Sequence, residues 1–445
     1  MKNNKSWILV GIIIIFAVLL VGALLFLKNQ PPQSRAVVPP VVEVKPMEPD
    51  SSIWGQNFPN QWSSLQKTET NNTDTTYGGS SKFSQLERDP RQVVLFTGYP
   101  FSKEYNDDRG HMNAVKDVNA TRRVNDQTHA TCYSCKSSNN PALWSQMGLE
   151  GYDAMMFSEM KPNIQNSIGC ANCHEAGTMR LIVTNPSLEN ALKEQGKDWK
   201  TFSRQEMRTV VCANCHVEYY MVGDKKVLNF PWKDGTRIDQ ILKYYNDLGF
   251  KDWEYPETGI PMLKAQHPEY EMFTADSTHY KAGVACADCH MPYVRDGAAK
   301  YSSHDVHSPL QNPEQACGQC HTDTDYVVSR VNDIQNQVYN TKLAAEDALV
   351  DSINAIKRAT ANPNVDAAKL DEARKMHRDA QFLWDFVSAE NSMGFHNPEY
   401  ILKILADSTN LARQAQMKAS EATGDAALLQ TGYYYTIDPP PTPFP

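Results

Sequence analysis

Cys132-Tyr133-Ser134-Cys135-Lys136 is the stretch around which the chain is organised. Four further segments have the form Cys-x-x-Cys-His: Cys170 to His174, Cys212 to His216, Cys286 to His290 and Cys317 to His321. That spacing attaches a c-type haem through two thioethers, with the adjacent histidine as an axial ligand of the iron. All ten cysteines of the chain fall in these five pairs. Zinc takes four thiolate or imidazole ligands, often from two such pairs, and disulfides leave the four histidines unexplained. The reading is five covalently bound haems. The first stretch places Lys136 where the other four have histidine. A neutral lysine amine can ligate iron, so this is the odd haem of the set and the candidate for chemistry.

The chain has 445 residues and a net charge of −9, which argues against nucleic acid as a partner. Covalent haem attachment takes place outside the cytoplasm. The protein is therefore expected on the extracytoplasmic face of the cell membrane, in the periplasm or at the outer surface. Trp7 to Leu27 is a run of 21 uncharged residues that follows Lys2 and Lys5, long enough to span a bilayer as a helix. Residues 1–28 are read as a retained membrane anchor, with a cleaved signal as the alternative. Residues 29–50 carry six prolines and read as a semi-rigid linker.

Trp54 to Ser84 is polar and is expected to form surface loops. Arg88 to Leu95 begins the compact region, and short helices are expected around each cysteine pair within a pentahaem region spanning 51–321. Beyond His321 the pattern changes. Val327, Val331, Ile334, Val338, Ala345, Leu349, Ile353 and Ile356 recur mostly at three- and four-residue steps, which predicts a long amphipathic helix. Asn362-Pro363-Asn364 breaks it. A second helix is expected from Asp366 to Glu390, and a third from Pro398 to a stop at Gly424. This long-helix region, 322–435, suits a dimer interface or, equally, an intramolecular bundle. Residues 436–445 form a proline-rich tail. The fold class is mainly α: a multihaem cytochrome c with a compact five-haem region and long C-terminal helices.

Of twelve histidines, four follow cysteine pairs. His111, His129, His267, His279, His304, His307, His377 and His396 remain, and four low-spin haems need only four distal ligands. Spacing alone does not choose among them.

Several motifs together carry a resemblance. They are Gly98-Tyr99-Pro100-Phe101-Ser102, Arg109-Gly110-His111, Cys132 to Lys136, Cys212 to Tyr220, and Pro261 to Tyr270 with Lys264-Ala265-Gln266-His267 at its centre. In these the chain resembles the pentahaem cytochrome c nitrite reductases, which reduce nitrite to ammonium. The likeness is strong over Arg88 to His321 and looser in the helical tail. The N-terminal span departs from it, since many relatives are secreted with a cleaved signal.

The resemblance implies distal ligands: His111 for the haem of Cys212 and Cys215, His304 for that of Cys170 and Cys173, His396 for that of Cys286 and Cys289, and His279 for that of Cys317 and Cys320. His307, three residues from His304, is the rival there; His129 and His377 receive no role. It further implies Arg123, Tyr219 and His267 on the open side of the Lys136 haem, with Arg122 as the one-residue alternative to Arg123. Their chemistry suits an anion that takes up six electrons and eight protons. Arginine is permanently charged, histidine donates protons near neutral pH, and tyrosine donates a hydrogen bond or handles a radical. A calcium ion is implied on the Glu218 carboxylate, the Gln266 amide oxygen and the carbonyls of Tyr219 and Lys264, an all-oxygen set. The implied partners are nitrite, a quinol-oxidising membrane cytochrome or other multihaem electron donor, and a second copy in a homodimer. Two alternatives stand beside this reading. One is reduction of hydroxylamine, nitric oxide or sulfite at the same haem; the other is a multihaem electron-transfer protein without a substrate.

Overall fold

A computed structural model describes residues 40–107 and 109–432, with Ile13, Ile15, Phe16, Leu19 and Leu20. The rest of the expected span Trp7 to Leu27, and the tail 436–445, lie outside the described residues. Among the described residues no helix is long and apolar enough to cross a membrane. The chain divides into two units, Met1–Val41 and Val42–Pro445, and the second carries all five cysteine motifs.

The polar stretch after Trp54, expected as loop, is helical as far as Thr70. It forms α1 (Ser51–Asn57) and α2 (Pro59–Thr70). Local signals explain both starts. The Asp50 carboxylate accepts the Ser52 N–H at 2.8 Å, and Pro59 occupies the first turn of α2. Few apolar residues suffice because the pair packs closely: a Cβ on Gly55 would meet the Trp62 ring at 2.6 Å. Trp54 and Leu65 are buried. Within the expected linker, Val42 donates to Asn57 Oδ1 at 3.0 Å and Asn57 Nδ2 returns a bond to Val42 O at 2.8 Å. Ser51 Oγ accepts the Cys170 N–H at 3.1 Å, so α1 braces a cysteine motif.

Arg91–Leu95 forms α3 and Ile238–Leu248 forms α4. The strands make three separate antiparallel ribbons: β1 (Tyr220–Val222) with β2 (Val227–Asn229), β3 (Trp253–Tyr255) with β4 (Ile260–Met262), and β5 (Tyr293–Asp296) with β6 (Ala299–Ser302). The three long helices follow: α5 (Thr324–Thr360), α6 (Ala367–Ser388) and α7 (Pro398–Thr423). Asp323 and Asp366 cap the starts of α5 and α6, and Gly424 ends α7 in the left-handed conformation at φ 70°. The helices pack on one another around Leu349, Ile353, Phe382, Phe386, Ile401 and Leu405, all buried. Each such side chain contributes about 1.5–3 kcal/mol. Ala412, Ala415 and Ala419 are buried too, and this small-residue face lets α7 approach closely.

The bundle also holds the cysteine-rich region in place. Phe96, just after α3, lies 5.9 Å from the Trp384 ring of α6. Arg91 pairs with buried Glu346 of α5 at 2.9 Å. Arg378 of α6 donates to the carbonyls of Pro261 and Phe250 at 2.5 and 2.6 Å, fixing the segment that leads into Lys264–His267.

Candidate active site

Each cysteine motif is one tight turn. His174, His216 and His321 donate their N–H groups to the carbonyls of Cys170, Cys212 and Cys317, each at 2.9 Å. Residues three and four apart then share a face, which sets two sulfurs and an imidazole on one side. Lys136 closes its turn on Tyr133 O at 3.0 Å. This turn is clamped from behind. Asn140 Nδ2 donates to the carbonyls of Tyr133 and Ser134 at 2.7 and 2.9 Å, and Tyr152 donates to Asn140 Oδ1 at 2.9 Å. Tyr133 stacks on Phe157 at 4.2 Å within a separate cluster that includes Trp144 and Met160.

The fit of the residues to haem is read from the histidines. A metal held by two imidazole nitrogens at about 2 Å each sets the ring centres roughly 6 Å apart. His174 and His304 stand 6.2 Å apart, His290 and His396 6.2 Å, His279 and His321 6.4 Å, and His111 and His216 6.5 Å. Four Nδ1 atoms are taken by backbone or carboxylate oxygens: His174 by Met179 O at 3.0 Å, His290 by His307 O at 3.0 Å, His304 by Ser302 O at 2.9 Å, and His396 by Glu390 Oε1 at 2.5 Å. This leaves Nε2 free to ligate a metal. Burial pushes His290 and His304 down to about 4, which keeps them as the neutral imidazoles that bind metal. For His396 burial pulls the other way from Glu390, and the carboxylate wins, raising it.

His307 does not face His174. Its Nε2 meets Asn312 Nδ2 at 2.9 Å and its Nδ1 lies 3.4 Å from Asp305. His129 braces the lysine motif, its Nδ1 2.9 Å from Asp153 O. His377 is buried in the bundle between Ser352 Oγ at 2.7 Å and Gln381 Oε1 at 3.1 Å.

The cysteine pairs form a connected array. The Cys135 and Cys215 sulfurs are close neighbours, as are those of Cys212 and Cys286. Cys215 lies close to Cys173, and Cys289 to Cys317. Cys320 and His321 are exposed, so the last motif reaches the surface.

Arg123, Tyr219 and His267 converge near the lysine motif. Arg123 lies close to Cys132 and Tyr219. Its guanidinium rests over the Phe101 ring at 4.2 Å, and its Nε lies 3.3 Å from Thr121 Oγ1. Among the described residues no carboxylate is paired with it. Arg122 turns outward instead: its side chain is 74% exposed and reaches toward Glu104. The Phe101 platform depends on the turn at Gly98, whose φ is +87° and whose Cβ, if it had one, would strike Pro256 at 2.6 Å. Burial pushes the Tyr219 hydroxyl well up, so it stays protonated. His267 is joined to the segment after the Cys212–His216 turn, its backbone N–H donating to Val217 O at 3.3 Å; its ring lies 6.4 Å from His216, as near as His111, but the Nδ1 atoms of His216 and His267 both turn to Glu269.

Glu269, which the sequence reasoning did not single out, lies against both of these rings. Its Oε2 is 3.6 Å from His216 Nδ1 and its Oε1 is 3.9 Å from His267 Nδ1. Burial opposes its charge, but the two imidazoles outweigh that and hold it well below the usual carboxylate range. Its only sequence signal was its place in His267-Pro268-Glu269.

The implied calcium set is also contiguous. Buried Glu218 accepts the Gln266 N–H at 2.7 Å and the Tyr245 hydroxyl at 2.9 Å, and the Gln266 side-chain amide meets Lys264 O at 3.2 Å. Among the described residues no three His, Cys, Asp or Glu side chains converge as a metal site; this set has one carboxylate, with carbonyl and amide oxygens. Burial pushes Glu218 well up, and the nearby Glu271 and Asp252 carboxylates push it further. Burial likewise raises Glu271 to about 8 and Asp252 to about 7. The buried Glu218 carboxylate, with carbonyl and amide oxygens beside it, fits a hard cation. The Lys264 ammonium is already bound to Asp385 at 2.8 Å. Asp252 and Tyr245 were invisible in the sequence because only folding brings them to Glu218.

A family model of cytochrome c552 matches residues 50–439. The chain belongs to the cytochrome c552 family. Within this family's relatives, it is 38% identical to cytochrome c nitrite reductase subunit NrfA of Nitratidesulfovibrio vulgaris, covering 84% of this chain and 79% of that one. It is 33% identical to cytochrome c-552 of Parabacteroides distasonis, covering 95% and 87%. Among solved structures, cytochrome c nitrite reductase from Desulfovibrio desulfuricans superposes with a TM-score of 0.82 at 37% identity, covering 86% of this chain and 89% of that one. The catalytic subunit of that enzyme has two calcium sites.

Proposed function

We propose that this cytochrome c552-family chain is an ammonia-forming nitrite reductase, acting at the haem attached through Cys132 and Cys135. One observation carries the reading. Four cysteine motifs have a histidine facing their own histidine at 6.2–6.5 Å, whereas the lysine motif has Arg123, Tyr219 and His267 on hand instead. Haem supplies an iron that binds nitrite and passes electrons. Lys136 would hold that iron through its amine, in the place the other four motifs give to histidine. Arg123 holds the anion with a fixed charge that no carboxylate among the described residues neutralises. His267 supplies a hydrogen bond and protons, and Tyr219, kept neutral by burial, adds its hydroxyl as a further donor. Such donors, aimed at developing charge where water is scarce, are worth more than in bulk solvent.

Glu218, Gln266 and the carbonyls of Tyr219 and Lys264 hold calcium, stiffening the two segments that carry Tyr219 and His267. His111, His279, His304 and His396 complete the other four haems, whose array feeds electrons to the fifth. The protein works extracytoplasmically, held at the membrane by residues 1–28. It draws on a quinol-oxidising cytochrome or another multihaem donor, and pairs through the α5–α7 region as a homodimer. The test is ammonium formation from nitrite by the haem-loaded protein with a reduced dye. An electron paramagnetic resonance spectrum with five low-spin haems and no response to nitrite would instead favour a pure electron carrier.

A further inference from the structure

Glu269 begins the short helix Glu269–Thr274, where the helix N-terminus favours negative charge. It is 8% exposed. Each of its oxygens lies at ion-pair distance, longer than a hydrogen bond, from a different imidazole: Oε2 is 3.6 Å from His216 Nδ1 and Oε1 is 3.9 Å from His267 Nδ1. A third contact aims it: Asn391, in the turn after α6, donates to Oε1 at 2.8 Å. The backbone ties the same groups together, since Tyr270 donates its N–H to His216 O at 3.2 Å and His267 donates to Val217 O.

We propose that Glu269 is a positioning residue that holds the proton-donating His267 and the iron-ligating His216 on a single carboxylate. This rests on the proposed function for the role of His267. Two consequences follow from chemistry alone. A carboxylate at Nδ1 selects the tautomer and ring orientation in which Nε2 is left for the other partner. For His267 that partner is the substrate beside Lys136, to which the doubly protonated ring gives its Nε2 proton while the Nδ1–H stays with the carboxylate. For His216 it is the iron of the Cys212 and Cys215 haem, whose neighbour through Cys215 is Cys135. A carboxylate on a ligand imidazole also makes that imidazole a stronger donor and favours the oxidised iron. One side chain thus sets the proton donor's aim and the driving force of the adjacent electron donor.

The test compares Glu269→Gln and Glu269→Asp in the haem-loaded protein, with five haems per chain confirmed by mass. Glu269→Gln keeps the size and removes the charge. It should lower kcat for nitrite about tenfold or more, as outer-shell changes typically do, while KM stays within about threefold, because Arg123 rather than His267 holds the anion. In a spectroscopically monitored redox titration the potential of the Cys212 and Cys215 haem should rise, with the other haems unmoved. Glu269→Asp keeps the charge on a shorter arm; that haem's potential should return toward the parent value while kcat stays depressed. A residue that merely packs would move neither quantity in Glu269→Gln, and an unchanged kcat or an unchanged potential overturns the proposal. Failure of the nitrite reading shows differently: the parent makes no ammonium, whereas the potential shift is read without substrate.

Discussion

Arg123→Ala is the sharpest perturbation of the proposed anion site. The guanidinium sits over Phe101 at 4.2 Å, with Thr121 Oγ1 3.3 Å from its Nε and no carboxylate partner among the described residues. Its charge is therefore available to the substrate. Two unit charges about 4 Å apart interact by roughly 4 kcal/mol at an effective dielectric of about 20, and placed donors in active sites are worth about 3–4 kcal/mol when removed. Nitrite turnover should fall roughly a hundredfold to a thousandfold. Folding should survive, because the lost stacking on Phe101 contributes only about 0.5–1 kcal/mol. Arg122→Ala is the internal control. That side chain is 74% exposed, and a change there should stay within about 0.5 kcal/mol. The assay is ammonium formed per haem-loaded chain, with haem content and the low-spin spectra checked first. Arg123→Ala within threefold of the parent, or a larger loss in Arg122→Ala, refutes the reasoning.

Lys136→His should retain five haems by mass yet lower nitrite turnover about tenfold or more; normal turnover would show that lysine ligation is dispensable. Glu218→Ala should release calcium, measured by elemental analysis, and lower turnover in the same 10–100-fold range; unchanged calcium content moves the site elsewhere. His377 predicts a pH dependence of stability. Burial holds it down at about 4, below the usual value near 6.5. The unfolded chain thus takes up this proton first as pH falls. The contribution is fully present above about pH 6.5 and is lost as pH drops toward about 4, worth roughly 3 kcal/mol in all. Denaturant midpoints of His377→Gln should fall less steeply across that window than those of the parent; parallel slopes would refute the assignment.

The cysteine motifs were legible because covalent attachment demands two sulfurs and a ligand within one turn, so the constraint lies in five consecutive residues. The long helices were legible for a similar reason. Leu349, Ile353 and Ile356 repeat with the helix period, Pro363 follows the end of α5 at Thr360, and Gly424 follows that of α7 at Thr423. Helices α1 and α2 were missed because so few apolar residues mark them. Trp54 and Leu65 carry the burial, and the cap at Asp50 and the Gly55–Trp62 approach do the rest. His304 and His307 were inseparable by spacing; the folded loop turns one ring to His174 and the other to Asn312. Glu269, Asp252 and Tyr245 act through distances of folding, not of sequence. The network joining Glu218 to Tyr245 and Gln266 spans residues 27 and 48 positions away.

The most direct measurement supplies isotopically labelled nitrite and a reduced dye of known electron content to the purified haem-loaded protein, and counts both products and electrons. Labelled ammonium is expected as the sole nitrogen product, with six dye electrons consumed for each nitrite. Labelled nitric oxide or hydroxylamine at one or four electrons per nitrite, or no consumption of nitrite by protein carrying all five haems, would contradict it.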